Sequence, residues 1–117
     1  ADSILYTALQ TAKQMISYRG IVCEIEHNLI CIAIRDINSE VNLRSFLESL
    51  RNQIAWNVLL MNGKKNLTFS IGIARYPQNG ITMELVKKKL YRAFDIAHER
   101  GHNHYIIYRE HLHGEIS

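Results

Sequence analysis

Residues 21–34, Ile-Val-Cys-Glu-Ile-Glu-His-Asn-Leu-Ile-Cys-Ile-Ala-Ile (IVCEIEHNLICIAI), hold two apolar runs that meet at a polar step, Glu26-His27-Asn28. A strand alternates its faces with a period of two, so Ile21, Cys23 and Ile25 share one face and Val22, Glu24 and Glu26 the other. If His27 and Asn28 form a two-residue turn, residue 25 faces 30, 23 faces 32 and 21 faces 34. Ile30, Ile32 and Ile34 then complete one apolar face, and the hairpin is self-consistent. Asparagine, and histidine more readily than most residues, accept the positive φ that such a turn requires. In this register Cys23 and Cys31 fall on opposite faces, which sets them against a mutual disulfide and reads both as buried thiols of a reducing compartment.

Helical periodicity flanks the hairpin. Upstream, Ile4, Leu5, Ala8, Leu9, Ala12, Met15 and Ile16 recur at helical spacing, which predicts an amphipathic helix from Ser3 to about Ser17 capped by Asp2 or Ser3. Downstream, Ser39 can cap a second helix of roughly four turns whose stripe is Val41, Leu43, Phe46, Leu47, Leu50, Ile54 and Val58, closed by the Met61–Asn66 turn. Leu67–Pro77 (LTFSIGIARYP) alternates and is rich in β-branched and aromatic residues, so it reads as a strand, ended by Pro77 and the Asn79-Gly80 turn. Thr82 caps a third helix to about Arg100, with Met83, Val86, Leu90, Ala93, Phe94 and Ala97 as its stripe and Gly101 as its stop. His104–Arg109 is a last strand. The order helix, two strands, helix, strand, helix, strand predicts an α+β sandwich with the helices on one face of a sheet.

With 117 residues, 47% of them apolar and 21% charged, the chain is one compact domain able to bury a core. It contains no uninterrupted apolar run of about 18 residues and no signal-peptide layout, so a cytoplasmic protein without membrane contact is expected. The net charge of +3 is a weak invitation to a nucleic-acid reading. The basic residues are dispersed, stacking aromatics do not alternate with them, and Lys87-Lys88-Lys89 reads as a solvated helix face, so no nucleic-acid partner is expected. Five of the six histidines lie between positions 98 and 113. His98 and His102, four apart at the end of a helix, could share a zinc ion, but spacing fixes no third ligand among His104, His111 and His113. The Gly63–Asn66 turn lacks the layout of a phosphate-cradling loop, and Trp56 reads as a partly buried core residue.

The block Leu67–Tyr108 resembles the C-terminal half of a GGDEF domain, the diguanylate cyclase family. That family carries a strand ending Ser-Ile-Gly-Ile-Ala, then Tyr-Pro, a small turn, a helix, and an Ala-Lys-x-x-Gly-Arg-Asn step before its last strand. Here Ser70-Ile71-Gly72-Ile73-Ala74, Tyr76-Pro77, Gly80, Ala93, Ala97, Gly101 and Asn103 match in order and spacing. Ala1–Leu5 resembles the family's Gly-Asp-x-x-Leu helix start. The resemblance implies a ferredoxin-like nucleotidyl-cyclase palm with a central antiparallel sheet. It also implies that the family's opening strand is missing, which would leave two unpaired edges facing each other across a gap of about one strand width, about 4.8 Å.

Where the family has its Gly-Gly-Asp/Glu-Glu-Phe turn, this chain has Glu26-His27-Asn28-Leu29-Ile30. In active relatives the glycines let the backbone approach the nucleotide and the acidic third residue holds divalent metal. Asn28 is a poor ligand for Mg²⁺, and Glu26 and His27 would crowd bound guanosine triphosphate (GTP). The family's phosphate-contacting Lys and Arg are replaced by His98 and His102, at most partly protonated at neutral pH. Its inhibitory Arg-x-x-Asp is replaced by Ser17-Tyr18-Arg19-Gly20, and of its base-recognition pair only Asp2 remains.

The resemblance therefore implies a vestigial nucleotide pocket at Asp2, Glu26, His27, Asn28, His98 and His102, with no catalytic residue and no inhibitory site. The function expected is that of a catalytically inactive GGDEF-type module of a bacterial cyclic-di-GMP signalling protein, sensing a guanine nucleotide or binding a partner. An EAL phosphodiesterase or sensor domain in the same polypeptide, a second copy of the chain, and Mg²⁺ carried in with GTP are the partners it implies. The alternatives are an active cyclase with divergent site residues and a histidine-rich metal-binding module.

Overall fold

A computed structural model of the protein describes residues 3–25, 29–35, 37–62, 69–99 and 105–108. Its elements are α1 (Ser3–Ile16), a 3-10 turn (Ser17–Arg19), β1 (Gly20–Ile25), β2 (Leu29–Ile34), α2 (Glu40–Asn62), β3 (Ser70–Arg75), α3 (Met83–Glu99) and β4 (Tyr105–Ile107). Three helices and a four-stranded sheet make the α+β architecture expected of the sequence.

Of the three expected caps, Ser39 and Thr82 form; at the start of α1, Asp2 lies outside the described residues and Ser3 is the first residue of the helix. The Ser39 hydroxyl accepts a hydrogen bond from the Asn42 amide at 3.1 Å, and the Thr82 hydroxyl one from the Leu85 amide at 3.2 Å. Each satisfies an amide that the helix itself leaves without a partner. Between β3 and α3 the Asn79 carboxamide oxygen accepts from the Arg75 amide at 2.8 Å, and the Asn79 amide donates to the Arg75 carbonyl at 2.8 Å. This double clasp turns the chain before Gly80. The α2 helix runs 23 residues, more than six turns at about 3.6 residues each and longer than expected. Its stripe holds from Leu43 to Val58, but Val41, the second residue of the helix, is exposed. Trp56, expected to be partly buried, is 56% exposed: it falls off the stripe between Ile54 and Val58.

The hairpin register differs from the expected one by a residue. Cys23 pairs with Cys31, Ile21 with Ala33 and Ile25 with Leu29, so three residues, 26–28, separate the strand ends instead of two. A one-residue slip moves every side chain of a strand to the opposite face relative to its neighbour. Ile30, Ile32 and Ile34 consequently share their face with Gly20, Val22 and Glu24. The two cysteines, expected on opposite faces, are cross-strand neighbours on the same face, both as free thiols; Cys31 is buried as expected, whereas Cys23 is only half-buried, on the outer strand.

The sheet order is β1-β2-β3-β4, with β1/β2 antiparallel and β2/β3 and β3/β4 parallel. It is mixed, where a purely antiparallel sheet was expected. It is also continuous: β2 pairs directly with β3 from Leu29↔Ser70 to Ile34↔Arg75, so the expected gap with two facing unpaired edges does not exist. The helices lie on both faces, where one face was expected. Ile30, Ile32, Ile34, Ile71, Ile73 and Ile107 pack with α1 and α2, while Cys31, Ala33, Ala74, Ile106 and Tyr108 pack with α3. Periodicity identifies which side of a helix is buried but says nothing about which face of the sheet receives it. The β2-α2-β3 and β3-α3-β4 crossovers step across the sheet in the same direction with helices on opposite faces. They therefore have opposite hands, and one is of the rare left-handed kind.

Candidate functional site

Chain direction gathers the ends that flank the expected pocket. The C-terminal end of β1 and the N-terminal ends of β2, β3 and β4 share one end of the sheet. Because α1 leads into β1 at its far end and α3 leads into β4 at its near end, the start of α1 and the end of α3 belong to this same end. Of the expected pocket residues, Asp2, Glu26, His27, Asn28 and His102 lie outside the described residues. His98 falls within α3, one residue before its last. The topology thus places the described elements next to these positions at one end of the sheet.

The second expected locus is described in full. Ser17, at φ 52°, is exposed and opens the 3-10 turn, and Gly20 begins β1. A Cβ on Gly20 would stand 2.1 Å from the Ala33 carbonyl oxygen, far inside any van der Waals contact, and the neighbour is backbone rather than a movable side chain. No side chain fits there, so the position that carries an aspartate in the resembled family's inhibitory motif cannot carry one in this backbone.

The electrostatics of the described residues favour neutral groups in the interior. Burial pushes the Cys31 thiol up to about 12, reinforced by Cys23 across the strand pair and opposed by Lys87. Cys23 is also raised, by burial first, with Lys87 pulling the other way. Burial raises the Tyr105 hydroxyl to about 12 against the Arg51 guanidinium, which lies 5.5 Å from its ring. These thiols are packing groups rather than nucleophiles, since it is the thiolate that reacts. Among the described residues no three His, Cys, Asp or Glu side chains gather to hold a metal ion. The lysine run is partly engaged: Lys87 reaches Glu84 at 3.7 Å, and the Lys89 ammonium lies 5.5 Å from the Tyr108 ring. Among the described residues no helix is long and apolar enough to cross a membrane.

Two features went unread in the sequence. One is the thiol pair, hidden by the assumed two-residue turn; a three-residue connection would have disclosed it. The other is a cleft beside Arg35 and Tyr76 at the opposite end of the sheet from residues 26–28. Its residues come from separate segments, and no motif links them.

Compared with known proteins, the chain matches no family model, no curated protein and no solved structure.

Proposed function

We propose that the chain is a GGDEF-type regulatory module that does not cyclise GTP, a cytoplasmic part of a bacterial cyclic-di-GMP signalling protein that senses a guanine nucleotide or docks a partner domain. The observation that carries this reading is a division within the sequence. Ile71, Gly72, Ile73, Ala74, Gly80 and Ala93, which match the family, are buried packing residues, and those that depart from it are the chemical ones. Gly72 shows the first half: a Cβ there would stand 2.9 Å from Phe94 Cζ and 3.0 Å from Leu90 Cδ2, so the glycine of Ser-Ile-Gly-Ile-Ala serves the seating of α3. Glu26-His27-Asn28, His98 and His102 supply the second half. Phosphoryl transfer depends on metal and fixed cations to stabilise charge, and these replacements remove an acidic metal ligand and two permanent cations together. The steric closure at Gly20 agrees with a chain that also lacks the inhibitory site.

The test is incubation of the purified chain with GTP and Mg²⁺ or Mn²⁺, followed by detection of cyclic di-GMP, beside a calorimetric titration of GTP with Mg²⁺. No product is expected. Micromolar binding without turnover identifies a nucleotide sensor; absence of heat at two temperatures leaves the partner-docking role. Measurable cyclic di-GMP overturns the reading in favour of an active cyclase, and chelator-competitive zinc binding at micromolar or tighter affinity would revive the metal module.

A further inference from the structure

At the end of the sheet remote from residues 26–28, a cleft of about 300 Å³ opens on the α3 side, between the start of β1, the end of β2 and the connection that leads into α3. Ile21, Ala33, Ile81 and Met83 give it apolar walls, Tyr76 an aromatic one, and among the described residues of its lining Arg35 carries the single charge. Ile21 and Ile81 are 53% and 71% exposed. Two isoleucines held at the mouth of a concavity lose water to any apolar body that enters it. The backbone of Gly20 borders the cleft at its β1 end.

Arg35 is fixed from two sides. Its Nη2 donates to the Tyr18 carbonyl at 3.3 Å, and its guanidinium carbon lies 6.0 Å from the centroid of the Tyr76 ring. A guanidinium carries five N–H donors in a planar fork, so one bond to a carbonyl leaves most of the fork for an incoming anion. The cleft also lies beyond the C-terminal ends of the parallel strands β2 and β3, the crevice in which open sheets with parallel strands bind ligands.

We propose that this cleft binds a small organic carboxylate, its head on Arg35 and its apolar body between Ile21, Ile81 and Met83. A single guanidinium matches a carboxylate by two parallel N–H···O bonds, and the charges balance. A phosphate dianion would bring one charge more than the lining offsets. The volume equals that of roughly ten waters at their liquid share of about 30 Å³ each, which suits a medium aliphatic chain or one ring and falls short of a nucleotide. The site does not rest on the GGDEF-type reading: it lies at the other end of the sheet from residues 26–28, and it touches the Ser17–Gly20 locus only through Gly20 and the Tyr18 carbonyl.

The experiment is a titration of the ¹⁵N-labelled full chain with octanoate, octanamide and octyl phosphate, followed by amide shifts. Octanoate is expected to shift Gly20, Ile21, Ala33, Ile81 and Met83 saturably. The neutral octanamide, and octanoate against Arg35→Gln, should bind at least about tenfold more weakly, the size of a lost charge-assisted contact. Arg35 is exposed, so the variant retains its core. A second exposed variant, Ile81→Ser, should weaken octanoate and octanamide alike. Failure of octanoate to saturate up to its solubility, unchanged affinity in either variant, or tighter binding of octyl phosphate than of octanoate would overturn the proposal.

Discussion

The two faces of the sheet solve the same packing problem with opposite materials. Toward α1 and α2 the strands present isoleucines at 30, 32, 34, 71, 73 and 107, long branched side chains that fill the space beneath two helices. Toward α3 the two central strands present Cys31, Ala33, Gly72 and Ala74, small groups flanked by Ile106 and Tyr108 at the β4 edge, over which a single helix settles closely enough that no Cβ fits at Gly72 without movement. The run Ser70–Arg75 serves both, because alternation sends Ile71 and Ile73 one way and Gly72 and Ala74 the other. A motif of this kind specifies where helices sit. It carries no chemistry of its own.

If the isoleucine face is the deeper core, breaking it should have the larger effect. Ile73→Ala removes three carbons from a fully buried side chain and leaves a cavity, with an expected loss of about 2–5 kcal/mol by thermal or denaturant unfolding. A loss under about 1 kcal/mol would mean that the helices collapse onto the gap. On the other face the damage comes from excess volume. Gly72→Ala sets a methyl 2.9 Å from Phe94 Cζ, and the expected cost is about 1–3 kcal/mol. Phe94→Leu in the same chain should return part of it, whereas the two changes would be additive if α3 did not lie on Gly72.

How far these faces were legible depends on the kind of signal. Helix positions were readable because caps and stripes are local: Ser39 and Thr82 engage the amides expected of them, and Leu43, Leu50, Val86 and Leu90 are buried as their spacing requires. The hairpin's existence was equally local. Its register was not, since β2 is buried on both faces and alternation cannot rank Ile30 against Cys31 when neither meets water. One residue more in the connection reversed the partners of Cys23 and Ile21. The direct pairing of β2 with β3, and the choice of face by α3, join segments about 40 residues apart, where no periodicity operates. Of the expected pocket, only the place of His98 in α3 lies within the described residues. The Arg35 cleft was illegible, because Ile21, Arg35, Tyr76 and Ile81 become neighbours only when the sheet closes.

Per unit of pH, the smallest expected effect separates the faces by titration. Burial lifts the Cys31 thiol, on the α3 face, from 9.0 to about 12, so the folded chain keeps a proton that the unfolded chain releases. That contribution to stability is complete below pH 9 and is lost as pH rises toward 12, at no more than about 1.4 kcal/mol per pH unit for one group. Tyr105, against the isoleucine face, moves in the same direction from 10.0 to about 12, so its share begins to fall one unit later. Melting temperatures taken from neutral to alkaline pH should therefore fall less steeply in Cys31→Ala than in the parent above pH 9, with parallel curves below it. Tyr105→Phe should flatten only the more alkaline part, and by less, because its half-exposed ring is better screened. Curves that stay parallel throughout for Cys31→Ala would mean that water reaches the thiol, and that α3 does not close over the small-residue face.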